Sequence, residues 1–175
     1  MAARLLAVLA LASTLVAPAL ADTPMEAAVK ATYLYKIAPF VTWPAGALGG
    51  AEEPFVLCIQ GADPFGQVVD RAVAGQRVGP HPIVVRRVGQ FEKGDRCHMA
   101  YLGGSRSQSP AEGLAALEGA PVLTVTDASH GSRKGVVHLM LDSGRVRFAV
   151  DAGQAAADGL VVSSKLLALA VEVTR

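Results

Sequence analysis

Cysteine is almost missing from this 175-residue chain, which has only Cys58 and Cys97. A metal centre needs three or four ligands. Cys58 with Cys97-His98 supplies three only if adjacent side chains turn the same way, which an extended strand forbids. Charge of one sign is missing too, with 16 Lys+Arg against 15 Asp+Glu. The nearest thing to a basic patch, Arg86-Arg87 with Lys93 and Arg96, is short and mixed with acids, so nothing points to nucleic acid. Aromatics make up 5% and include a single tryptophan, Trp43. Beyond the first residues, every apolar run is broken by charge, Gly or Pro within about ten positions, too short to span a bilayer. The four histidines (81, 98, 130 and 138) show no H-E-x-x-H spacing. Nor is there a G-x-S-x-G elbow, a G-x-G-x-x-G turn or a P-loop. Repeats, linkers and low-complexity tracts are absent as well, and no cofactor is called for.

What is present begins with a secretory pattern. Arg4 gives a positive start, Leu5 to Val16 an apolar stretch, and Ala19-Leu20-Ala21 a cleavage site before Asp22. We therefore expect residues 1–21 to be a cleaved signal peptide and residues 22–175 a single exported domain. In an exported chain, two cysteines most simply form one disulfide; free buried thiols and a metal site with His98 are the alternatives.

The mature chain is organised around Pro54 to Gly66. The unbroken apolar run Phe55-Val56-Leu57-Cys58-Ile59 stops at Gly61, and Asp63-Pro64 then has the chemistry of a helix N-cap and first turn, continued by Val68, Val69, Ala72 and Val73. A strand apolar on both faces belongs inside a covered, mostly parallel sheet. Before it, Thr23-Pro24 opens an amphipathic helix running toward Trp43-Pro44, which Pro39 is expected to kink or shift in register near Ala38. After it come strands at 83–88, 97–102 and 121–126, with a helix opened by the capping box Ser109-Pro110-Ala111-Glu112. An antiparallel hairpin follows about Asp142-Ser143-Gly144, with one face of its second strand wet. A short helix near 154–158 and a final helix from Lys165 to Val173, docked by Leu166, Leu167, Leu169, Ala170 and Val173, complete the chain. The alternation predicts an α/β sandwich: one domain, a mixed, mostly parallel sheet, and helices on both faces in the doubly wound, Rossmann-like manner.

The candidate chemistry is sparse. Asp127, Ser129 and His130 are the best trio for catalysis, but adjacent residues do not normally face each other as nucleophile and base. Small molecules in such sheets bind beyond the carboxyl ends of the strands, which marks Asp63, Arg106 and Asp127 with His130. There Gly103-Gly104-Ser105-Arg106-Ser107 offers backbone N–H groups and a guanidinium to an anion. Trp43 reads as a core plug, with a recognition residue as the alternative.

Taken together, Tyr33-Leu34-Tyr35-Lys36 with Trp43-Pro44, Leu57 to Gly66, Cys97-His98, Pro121 to Val125 and Gly159 to Ala170 resemble the YfiR-like family of periplasmic proteins across nearly the whole mature chain. The resemblance implies a non-enzymatic regulator acting by an apolar surface. Its partner would be the periplasmic sensor region of an inner-membrane diguanylate cyclase, held inactive, so that cyclic di-GMP and biofilm formation respond to the envelope. It also implies relief by an outer-membrane lipoprotein, a homodimer, and a disulfide between Cys58 and Cys97. The second cysteine pair of some members is missing here. The rival reading is a periplasmic small-molecule module serving another receptor, such as a histidine kinase.

Overall fold

The computed structural model describes residues 23–175; the expected signal peptide, residues 1–21, lies outside them. Helix α1 (Pro24–Ile37) starts where Thr23 Oγ1 accepts the Glu26 N–H at 3.2 Å. It ends sooner than expected. The change of register expected near Ala38 is what occurs: at Pro39 the α-helix gives way to a 3-10 turn (Ala38–Phe40), which leads straight into the short strand β1 (Val41–Thr42). The reason is that proline lacks the N–H the next turn requires, and the β-branched Val41 and Thr42 instead pair antiparallel with β9 (Val161–Val162).

The main sheet has eight strands in the order β10-β8-β7-β6-β5-β2-β4-β3. Strand β2 (Phe55–Gln60) is flanked in parallel by β4 (His81–Val88) and β5 (Met99–Leu102), and β6 (Leu123–Asp127) and β7 (Val137–Asp142) continue the parallel run. β3 (Arg77–Val78) pairs antiparallel with β4. β8 (Arg145–Asp151) returns antiparallel to β7 through Ser143-Gly144, both at positive φ, as a two-residue hairpin demands.

Period-two alternation sorts the side chains onto two faces. Phe55, Leu57 and Ile59 join Met99, Tyr101, Leu123 and Val125 in the larger core, which α1 caps with Leu34 and Ile37 and α2 (Gln67–Val73) with Val69 and Val73. Cys58, Ala100, Leu102 and Val122 point the other way, under Leu117 of α3 (Pro110–Leu117). Each fully buried Leu, Ile or Phe contributes roughly 1.5–3 kcal/mol, so these two layers drive the fold. The chain is the expected α/β domain with its mixed, mostly parallel sheet covered on both faces.

Two further expectations change in detail. Asp63 does not cap α2: its Oδ1 accepts the Phe65 and Gly66 N–H groups at 2.8 and 3.0 Å, forming a turn ahead of a helix that begins at Gln67. The final helix is one turn, α5 (Ser164–Leu167), and the tail becomes strand β10 (Glu172–Thr174), parallel to β8. Leu166 is buried, but Leu169 is 64% exposed and Val173 pairs with Val150. The helical spacing of those residues was real, but Val171, Val173 and Thr174 gain more by hydrogen-bonding the free edge of β8. The α4 helix (Ala152–Ala157) forms as expected and stops at Gly159. Among the described residues, no helix is long and apolar enough to cross a membrane.

Candidate functional site

In an open parallel sheet the ligand crevice lies where strand order reverses, here between the carboxyl ends of β2 and β5. That crevice is closed. Ala62 N–H donates to Gly104 O at 2.8 Å and Gly103 N–H to Gln60 O at 3.0 Å, while the fully buried Gln60 amide bridges Gly104 N and Gln108 O, both at 3.0 Å. The loops touch so closely that a Cβ at Gly61 or Gly103 would collide with the opposite backbone. The N–H groups offered to an anion are spent inside the loop. Ser105 N–H goes to Gln108 O, and those of Ser107 and Gln108 go to Ser105 Oγ. Arg106 projects into solvent.

Asp63 belongs to a surface fork. Arg87 Nε reaches Asp63 Oδ2 at 2.8 Å, and its two amino groups reach the Asp70 carboxylate at 2.8 and 3.1 Å. Hydrogen bonding to Arg87 holds the Asp70 carboxyl below its ordinary value and raises that of the guanidinium. Trp43 is a core residue: it is 8% exposed, its ring meets Phe55 edge-on at 5.1 Å, and its Nε1 donates to His98 O at 3.2 Å.

Asp127, Ser129 and His130 are brought together, but not as nucleophile and base. Ser129 donates both its hydroxyl (2.7 Å) and its N–H (2.9 Å) to Asp127 Oδ1, which caps a 3-10 turn. His130 instead packs edge-on at 6.2 Å from Tyr101. Asp127 Oδ2 is 2.7 Å from Lys30 Nζ, which also meets Glu26 at 2.7 Å. Lys30 is 1% exposed, so the pair is a buried clamp between α1 and the end of β6. The sequence reading missed Lys30, although a signal was there: it shares the stripe Ala27, Lys30, Ala31, Leu34, Ile37 that buries the helix. Among the described residues, no group of His, Cys, Asp and Glu is arranged to hold a metal ion.

Two histidines, the buried His138 and the partly buried His98, carry a pH dependence. His98 Nδ1 accepts the Val56 N–H at 2.9 Å, and His138 Nδ1 pairs with Thr126 Oγ1 at 2.8 Å. Burial is the leading cause that pushes both imidazoles below their ordinary value of 6.5. The unfolded chain therefore takes up these protons at a higher pH than the folded one. The stability they confer is present above about pH 6.5 and is lost as pH falls toward their folded values. Melting temperature is expected to drop between pH 7 and pH 5, with a shallower slope in the His98→Gln/His138→Gln variant. Parallel slopes would contradict this assignment.

An open apolar groove lies elsewhere on the surface. A groove of about 490 Å³ runs between α1, β8 and α5, walled by Val29, Tyr33, Ile37, Phe40, Phe148 and Leu169. Tyr33 packs edge-on against Phe148 at 5.7 Å.

A doubly wound α/β domain with its crevice sealed by main chain, one disulfide and an open apolar groove defines a class: a small disulfide-bonded α/β domain. Its family is settled by sequence, since residues 27–171 match the YfiR/HmsC-like family, and the chain belongs to it. No curated protein matches the chain. Membership implies a periplasmic regulator of cyclic di-GMP signalling.

Proposed function

We propose that this protein is exported to the periplasm, its first 21 residues removed, and there represses an inner-membrane signalling enzyme, a diguanylate cyclase, by binding that enzyme's periplasmic sensor region. The observation that carries the reading is the family match over residues 27–171, and the apolar groove of α1, β8 and α5 supports it as the contact surface. The partner presents an apolar segment to Tyr33, Phe148 and Leu169. An outer-membrane lipoprotein that takes up the regulator relieves the repression, and the regulator acts as a homodimer. Asp63, Arg106 and His130, on loops that follow the carboxyl ends of strands, are secondary contacts; Asp127, 2% exposed and paired with Lys30, is not one.

A regulator moves its target only by binding one of the target's states better; about 3 kcal/mol of difference changes activity more than a hundredfold. Deleting the gene is expected to raise cellular cyclic di-GMP. Restoring the natural chain should lower it again, whereas Leu169→Asp should not. Leu169 is 64% exposed, so the charge spoils the surface without unfolding the domain. An unchanged cyclic di-GMP level in the deletion strain, with the cyclase present, would refute the repressor role.

A further inference from the structure

The connection from β5 to β6 deposits α3 on the sheet, but the next one, from β6 to β7, contains only a 3-10 turn and a loop across residues 128–136. That loop is fastened down on the sheet by threonines: Thr126 Oγ1 accepts Gly135 N–H at 2.9 Å and Thr124 Oγ1 accepts Val136 N–H at 3.0 Å. Where a crossover helix would lie, a cleft of about 310 Å³ remains between α3 and α4, on the opposite face of the sheet from the apolar groove.

Its two walls carry opposite charge. On the α4 side is Asp158, a carboxylate only 6% exposed. Its partners are all neutral: Oδ1 accepts from Gly119 N at 3.0 Å and from Gln154 Nε2 at 3.1 Å, and Oδ2 from the same Nε2 at 3.0 Å. No cation reaches it among the described residues. A buried carboxylate without a counter-charge is costly, and a ligand cation removes that cost. On the loop side stand Arg133, exposed, and Lys134, already 2.8 Å from Glu172. Between the walls, Ala111, Leu114 and Ala115 supply a short apolar strip.

We propose that this cleft binds a small zwitterion, with its ammonium at Asp158, its carboxylate at Arg133 and a short hydrocarbon link across Leu114. The volume suits a ligand of that size. A binding site here stands independently of the regulator's partner surface.

The test uses 4-aminobutyrate, with butylamine and butyrate as half-ligands, titrated into the protein and read by backbone amide NMR shifts. The expected result is saturable shifts in α3, α4 and residues 131–135 with 4-aminobutyrate, and at least about tenfold weaker binding of each half-ligand. Asp158→Asn should remove the advantage of the ammonium, and Arg133→Gln that of the carboxylate. Arg133→Gln lies on an exposed loop and leaves folding intact, so it keeps the test valid if Asp158→Asn fails to fold. Shifts that grow linearly without saturation, equal binding of all three compounds, or unaltered binding to Arg133→Gln would each overturn the proposal.

Discussion

Replacing Lys30 with alanine is expected to cost about 3–5 kcal/mol of unfolding free energy, because it strands the Asp127 carboxylate, itself 2% exposed, with no cation. A domain of ordinary stability has roughly 5–15 kcal/mol in all, so the variant should unfold at far lower urea or not fold at 37 °C. The loss is not the worth of the ion pair itself. Removing both charges in Lys30→Met/Asp127→Leu should recover much of it, since apolar side chains of similar volume fill the site without demanding a counter-charge. Asp127→Leu also deprives Ser129 of its acceptor, so recovery should fall short of complete by about 1 kcal/mol. Chemical denaturation of the three proteins checks this. A single variant as stable as the natural chain would mean that the clamp contributes nothing.

Loss of the Cys58–Cys97 disulfide is the second large effect. The two sulfurs are bonded, with Cα atoms 5.8 Å apart, and close a loop of 39 positions. In the chain-entropy model a loop of that length is worth about 4 kcal/mol, chiefly through the unfolded state, although measured values are often smaller. The bridge joins β2 to the segment entering β5, and both cysteines are buried under α3. Cys58→Ala/Cys97→Ala should therefore lower the melting temperature by roughly 5–15 °C while leaving the folded spectrum unchanged. The natural chain treated with a dithiol should behave like the double variant, provided the solution is denaturing enough to expose the bond. Arg86 adds a contact at this site, with Nη2 3.2 Å from Cys97 Sγ and 3.4 Å from Asp95 Oδ1. Identical melting of the bridged and alanine proteins would show that the loop is already held by packing alone.

The order of elements was legible because each carries its own local signal. The run Phe55 to Ile59 announces a strand covered on both faces, Ser109 to Glu112 a capped helix, and Ser143-Gly144 a hairpin turn. These signals come from sterics and hydrogen bonding within a few residues. Where the reading went astray, a distant surface competed with the local pattern. Val173 repeats at helical spacing with Leu166 and Leu169, but the open edge of β8 claimed the tail as β10. Pro39 ended a helix whose residues beyond it were claimed by Val161 and Val162. The pairing of Cys58 with Cys97 was expected from their number and from the family resemblance, and the geometry agrees.

The composition and periodicity of this chain, by themselves, determined an α/β domain and the faces each strand buries, because these depend on which side chains leave water. Tertiary structure alone decided that the crevice at β2 and β5 is filled by main chain, that Lys30 is buried against Asp127, and that α1, β8 and α5 leave an apolar groove open. Those features join residues up to about 140 positions apart, and no window along the sequence holds both partners.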